Sequence, residues 1–367
     1  MTQLMMDEST LYDSMIVNGL SNETQDGLDE NSSILASFSW SPMEWSWSVI
    51  LQLISAILGI VGNILVIVVL FHRRKRNRST DSLISGLAVA DCLTSVMLIP
   101  NPSPTYIPNT WLGELYCRFV ITQSLLWASI TASAYLLISI SVERYIAVVY
   151  PLHFKRLVTR RHISNLICLN WILSVLSVLF VLFVHSVDGF TNKCKEQYLN
   201  RYTKLIIAYY WFCLRIVVPC FAIIITQVLI ARKLSQQSNN AQGMTTHLSN
   251  RNPMPSFHIV ARERILKMMI IVILIYFICW TPNQIAYLGY NIGWVPESYI
   301  NSDLHSMLTV LGFYNSCANP IIYAVRYPEF KEALKDLFTR NSERNNALGR
   351  GVIEIRTICG TKMASKP

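Results

Sequence analysis

The chain has 367 residues, 52% apolar and 14% charged, with a formal net charge of +9. That is about half the charge density of a soluble domain, too little to keep a soluble surface wetted, and burial in lipid removes the difficulty. The basic excess does not describe a nucleic-acid groove. Residues 1–46 hold no Lys or Arg but carry Asp7, Glu8, Asp13, Glu23, Asp26, Asp29, Glu30 and Glu44, whereas the basic residues fall in short clusters between apolar runs. The nine cysteines are scattered, with no CxxC pair, which argues against a zinc site or a disulfide framework. Residues 1–20 lack a basic start and a sustained apolar core, so the first long apolar run is expected to act as the insertion signal.

A bilayer-crossing helix needs about 20 mostly apolar residues. Runs of that kind place spans near 47–71, 82–104, 116–149, 163–186, 204–231, 263–291 and 304–326. The third is longer than one crossing needs and is expected to tilt and project into the cytoplasm. Pro100, Pro219, Pro282 and Pro320 mark candidate kinks. The connecting segments alternate in charge. Arg73-Arg74-Lys75-Arg76 follows span one; Lys155, Arg156, Arg160 and Arg161 follow span three; Arg232, Lys233, Arg251, Arg262 and Arg264 lie between spans five and six. Segments 105–115 and 292–303 have no Lys or Arg, and only 187–203, with Lys193, Lys195 and Arg201, breaks the trend. The balance puts the N-terminus outside the cell, in a multi-pass plasma-membrane protein. Sequons at Asn22 and Asn31 fall in that outer segment and are expected to be glycosylated. Segment 234–258 is polar and expected to be flexible.

The organisation expected is therefore an extracellular glycosylated segment 1–46, a membrane domain 47–326, an amphipathic surface helix 327–340 and a disordered cytoplasmic tail 341–367. The fold class is all-α integral membrane: a seven-transmembrane helix bundle with a short amphipathic C-terminal helix. No internal repeat of the transporter kind is present, and in-span acids are limited to Asp91 and Glu143, with Glu263 at the very first position of span six. That disfavours a transporter, a channel or a membrane enzyme.

Ionisable groups at bilayer depth cost at least about 2.5–3.5 kcal/mol and default to function. Asp91 lies in span two, Glu143-Arg144-Tyr145 ends span three and Arg215 sits in span five. With these come Gly62-Asn63, Leu87-Ala88-Val89-Ala90-Asp91, Trp111 with Cys117, Trp171, Pro219, Cys279-Trp280-Thr281-Pro282 and Asn319-Pro320-Ile321-Ile322-Tyr323. In this order, one set per span, they resemble the rhodopsin-like G-protein-coupled receptors, over all seven spans. The resemblance implies a non-enzymatic receptor that couples to heterotrimeric G proteins by outward movement of the sixth helix, with arrestin and receptor kinases as further partners. No cofactor is required. An allosteric sodium ion among Asp91, Ser133, Asn315 and Asn319 is implied; the alternative is a protonated Asp91 in a hydrogen-bond network with Asn63 and Asn319. The activation switch would comprise Glu143, Arg144, Tyr145, Trp280, Pro282, Asn319, Pro320 and Tyr323, although Glu143 and Arg144 read alone are a helix-end ion pair. A disulfide between Cys117 and Cys194 is implied as well, and Cys359 reads as a plain tail cysteine.

Two departures stand out. Cys117 and Arg144 are 27 positions apart, two more than the family's usual spacing, which points to a bulge or a different start in the outer third helix. Gln227 stands where the family usually has Tyr.

The ligand follows by exclusion. No Asp or Glu lies between Cys117 and Val142 to hold an amine, and 304–326 has no Lys for a retinal Schiff base. Gln123, Trp127, Tyr209, Arg215, Asn283, Gln284, Tyr287 and His305 are expected to line the pocket, aromatic and amide-rich around one buried cation. With Glu297 and Asp303 at its rim, it resembles the pockets of neuropeptide receptors, including the galanin- and somatostatin-like groups. A lipid, another small non-amine ligand or constitutive activity is the alternative, and Arg215 reads equally as a side chain lying along a helix interface.

Overall fold

The computed structural model describes residues 38–72, 79–245, 257–327, 330–337 and 339. The sequons at Asn22 and Asn31, the basic run 73–78 and the tail with Cys359 lie outside them. Seven long helices cross-pack into one bundle: α1 (Trp47–His72), α2 (Ser79–Met97), α3 (Trp111–Val149), α4 (Arg160–Val178), α5 (Arg201–Phe212, continued by a π-helical turn Cys213–Val217 and by Val218–Thr245), α6 (Phe257–Ile292) and α7 (Asp303–Arg326). Residues 330–337 form an eighth, α8.

Five segments among the described residues are long and apolar enough to cross a bilayer: Trp47–His72, Trp111–Val149, Arg160–Val184, Arg201–Gln237 and Leu266–Ile292. The α2 and α7 helices are long enough but more polar, because they carry the buried groups Asp91, Asn315 and Asn319 that face the interior. Each outer helix is sorted inside out. In α1, Ile50, Ile54, Ile57, Leu58, Val61 and Ile64 are exposed, whereas Ser55, Ala56, Gly59 and Asn63 are buried. Small residues inside allow close helix approach, and apolar ones outside meet lipid. Gly59 shows the need: a Cβ there would lie 2.1 Å from Ser95 Oγ of α2.

Helix ends follow local chemistry. Thr159, Asn200 and Ser302 cap α4, α5 and α7 by accepting from the backbone N–H groups of His162, Thr203 and His305. Pro100 is not a kink within a span running to 104: α2 stops at Met97. A residue preceding Pro avoids helical geometry, and Pro100, Pro102 and Pro104 supply no N–H groups to carry the helix on. Pro282 and Pro320 do lie inside helices. Pro219 follows the π turn of α5 directly. Part of the polar segment expected to be flexible is helical through Thr245, since Leu, Gln and Ala in 234–245 are good helix formers even outside the bilayer.

The outer face carries structure that hydrophobic runs do not reveal. Strand β1 (Ser39–Trp40) pairs antiparallel with β2 (Pro104–Tyr106), and β3 (His185–Asp188) pairs with β4 (Lys193–Glu196) in a hairpin. Cys117 and Cys194 form the expected disulfide, tying the hairpin to α3. Ile107, Cys117 and Val187 make a small core around it, flanked by Phe38 and Tyr116. The lengthened outer α3 is explained here too. Tyr116–Ile121 is π-helical, and Gln123 takes a left-handed conformation (φ 51°) before regular helix resumes at Ser124. A wider turn and a left-handed residue take up the two extra positions.

On the inner side α8 is amphipathic: Phe330 is buried, and Ala333, Leu334 and Leu337 pack on the bundle core. The junction is held by Tyr327, whose hydroxyl donates to Asp81 Oδ1 at 2.7 Å with both residues buried. Tyr327→Phe leaves that carboxylate short of a donor and is expected to cost about 1–3 kcal/mol. Thermal unfolding of the detergent-solubilised receptor checks this, and adding Asp81→Asn should recover part of the loss.

Candidate functional site

The outer half of the bundle encloses Arg215. Pro219 has no N–H to offer the Arg215 carbonyl in α-helical register, and the Tyr276 hydroxyl of α6 donates to that carbonyl at 2.7 Å. The π turn containing Arg215 aims its side chain inward. The guanidinium lies 4.1 Å from the Trp127 ring centroid and 3.7 Å from that of Trp211. Both contacts are short enough for strong cation–π attraction. Arg215 is only 5% exposed, its Nε lacks a partner, and no ion pair to a carboxylate holds it among the described residues.

Trp127 leads down to Trp280, 6.3 Å away between centroids. Trp280 rests on Gly312 of α7, where a Cβ would come within 2.9 Å of the indole ring. Asn283 Nδ2 donates to Thr309 Oγ1 at 3.2 Å, and Gln284 Nε2 reaches Asn283 Oδ1 at 3.4 Å. Tyr287 is half-buried. His305 meets the Tyr299 ring edge-to-face at 5.1 Å. Gln123 Oε1, Ser186 Oγ, Gln284 Oε1, Tyr299 Oη and His305 Nδ1 are buried without partners. Buried polar groups are normally satisfied, so orphaned groups of this kind suit a ligand that supplies the missing bonds. One expected lining residue does not belong. Tyr209 is 49% exposed and shares an outward stripe with Tyr202, Ile206 and Cys213. Trp211 takes its place, four residues before Arg215 on the same helix face; that spacing was readable in the sequence.

The mouth of this region holds a carboxylate that the loop's basic residues obscured. Glu196 pairs in register with His185 across the hairpin, and His185 Nε2 lies 3.5 Å from Glu196 Oε1. Lys204 Nζ sits 5.9 Å from the Tyr198 ring centroid and 5.6 Å from that of Tyr290. Burial works against the Glu196 charge, but His185, Lys204 and the Tyr198 hydroxyl together hold its pKa below the usual carboxylate value. Burial, and then the same carboxylate, push the Tyr198 phenol upward, so it remains a proton donor.

Deeper, Asp91 is fully buried. Its Oδ1 accepts from Ser133 Oγ at 3.0 Å and its Oδ2 from Asn319 Nδ2 at 2.7 Å. Asn63 is close by in the same layer but bonds elsewhere: its Nδ2 donates to the Gly59 and Ser316 carbonyls, each at 2.9 Å. Asn315, one turn above Asn319, is buried, and the Oδ1 atoms of both are unpartnered. A carboxylate, a hydroxyl and two free amide oxygens are the donor set a hard cation prefers.

At the end of the bundle that carries α8 the Glu143–Arg144 pair is not an exposed helix-end contact. Arg144 Nε and Nη2 each reach a Glu143 oxygen at 2.5 Å, and Arg144 also donates to Thr80 Oγ1. Ser79 and Thr80 of α2 donate to Glu143 Oε1 at 2.5 and 3.2 Å. Both members are buried. Tyr145 turns away, edge-to-face with Tyr150 at 5.9 Å. Tyr323 is buried near Phe330 with its hydroxyl unpartnered, and Gln227 Nε2 is likewise a buried orphan. Pro282 and Pro320 interrupt the hydrogen-bond ladders of α6 and α7 beside Trp280 and Asn319.

Comparison with known proteins agrees with this architecture. Residues 62–323 match the family model for the 7 transmembrane receptor (rhodopsin family). The chain is 26% identical to an allatostatin-A receptor of Bombyx mori, over 76% of each chain. It is 27% identical to galanin receptor 2a of Danio rerio, over 79% of this chain and 78% of that receptor. It is 25% identical to trace amine-associated receptor 7e of Mus musculus, over 80% and 82%. A family match across this much of the chain, joined to a bundle that buries an Asp91 layer and a Glu143–Arg144 pair, makes the conclusion plain: the chain belongs to the rhodopsin family of seven-transmembrane receptors.

Proposed function

We propose that this receptor binds an extracellular peptide at the plasma membrane, N-terminus outside, and activates heterotrimeric G proteins by outward movement of the cytoplasmic half of α6. The observation that carries the ligand reading is Arg215. A buried guanidinium stacked between Trp127 and Trp211, with no carboxylate partner among the described residues, is costly unless a ligand completes it. A carboxylate or the amide carbonyls of a peptide supply acceptors of that kind. The amide-rich wall of Asn283 and Gln284 suits a peptide backbone, and allatostatin and galanin receptors are among the relatives. A simple amine fits less well, since outer α3 has no carboxylate to receive it.

Arg144, held by Glu143 and Thr80, describes a resting receptor. Peptide contact with Trp127 would shift Trp280, pivot α6 at Pro282 and free Arg144 and Tyr323 to meet the G protein. Arrestin and receptor kinases would then act on the cytoplasmic face. Sodium held by Asp91, Ser133, Asn315 and Asn319 would neutralise the buried carboxylate and favour the resting packing.

Expression of the full chain in cells and a peptide-library screen against a panel of Gα classes tests the reading; no nucleotide exchange on any class overturns it. Arg215→Gln is expected to weaken the activating peptide by about ten- to a hundredfold, the loss of a hydrogen bond to a charged group, at unchanged surface expression; equal potency rules out the assigned contact. Glu143→Gln should raise ligand-independent exchange by loosening Arg144, and Arg144→Ala should abolish peptide-driven exchange. Asp91→Asn should remove the response of agonist affinity to replacing potassium with sodium at constant ionic strength.

A further inference from the structure

Strand β4 has a two-residue period, so Cys194 and Glu196 share one face while Lys193 and Lys195 take the other. The disulfide fixes which face is which: Cys194 is bonded to Cys117 of α3, so the Cys194–Glu196 face turns toward the bundle. Glu196 lies on that face but is exposed, beyond the half-buried Cys194. His185 takes one of its oxygens, at 3.5 Å. Lys204 is directed to the rings of Tyr198 and Tyr290 and forms no ion pair with Glu196 within 4 Å among the described residues. The Tyr198 hydroxyl also bonds the carboxylate, and the Glu196 side chain still keeps 35% of its surface open. Helix α6 is the link downward: its Tyr290 ring receives Lys204, and Tyr276, roughly four turns away on the same face, donates to the Arg215 carbonyl. An anionic group near the Tyr290 end of α6 and a cationic group near its middle thus lie along one face of that helix.

We propose that Glu196 and Arg215 are the two poles of a binding site for a dipolar peptide, which inserts an acidic end to Arg215 and leaves a basic group at Glu196. The inference rests on the peptide reading above and adds the charge pattern and polarity of the ligand. An inward-pointing acid meets the buried guanidinium in bidentate fashion. The basic group meets Glu196 where water still competes, so it orients the peptide more than it tightens it. A peptide entering the other way would place a cation beside Arg215 and an anion beside Glu196, and both contacts would be repulsive.

The test uses the full-length receptor in cell membranes and a synthetic set of pentapeptides, each made with one Arg or with norleucine in its place, and each as free acid and as amide. Nucleotide exchange across the Gα panel is read for wild type, Glu196→Gln, Glu196→Asp, Glu196→Lys and Arg215→Gln, at matched surface expression. On wild type, removing the Arg and amidating the terminus are each expected to lower potency about tenfold or more. Glu196→Gln should erase the effect of the Arg but keep that of amidation, Arg215→Gln should do the reverse, and Glu196→Asp should restore the wild-type ranking. With a Glu member added to each series, Glu196→Lys should prefer it to the Arg member. A Glu196→Gln receptor that loses the same factor for all peptides, or none, overturns the inference and leaves the peptide reading standing, as does a wild type that prefers neutral amidated members. Silence toward every peptide overturns both.

Discussion

Lipid offers no hydrogen bonds, so every polar group that a spanning helix carries must be satisfied from within the bundle. That constraint orders the rest of the structure. It turns α1 inside out, with isoleucines to the tails and Ser55, Gly59 and Asn63 inward. It brings Asp91 to Ser133 and Asn319, and it closes Glu143 with Ser79, Thr80 and Arg144. The constraint is left unmet around Arg215, Gln284 and His305, and again deeper at Asn315, Asn319, Gln227 and Tyr323.

The same logic explains why irregular backbone is found where it is. The π turn of α5 and the left-handed Gln123 of α3 both break helical register in the outer half. Irregular backbone at membrane depth is tolerated only against protein or a cavity. Each break also redirects side chains: the first aims Arg215 between two indoles, and the second lets α3 resume with Trp127 beside Trp280. The disulfide and the two short sheets above fix where the hairpin sits, and with it Glu196.

Much of this was legible early. Apolar runs located the seven helices because lipid demands a long uninterrupted apolar stretch, although α5 runs on past the expected 231 to Thr245. Buried ions are costly enough that Asp91, Glu143, Arg144 and Arg215 stood out without any structure. Helical spacing failed for Tyr209, because the π turn and the packing of α5 decide which side of that helix faces in, and neither leaves a mark on hydropathy. The end of α2 was misread because apolarity continues to Ile99 while Pro100, Pro102 and Pro104 stop the helix.

Composition and one-dimensional pattern therefore determined what lipid alone enforces: the number of crossings and the rarity of the charges inside. The tertiary structure decided what depends on distance between remote residues. Glu143 looks like half of a surface ion pair in sequence, and only the approach of α2 buries it under Thr80. Glu196 looks like one acid in a basic loop, and only strand register sets it opposite His185, on the same face of β4 as the disulfide-bonded Cys194. Solvent is an average environment that each residue meets separately, whereas a partner 60 or 200 residues away is a particular neighbour that folding alone brings near.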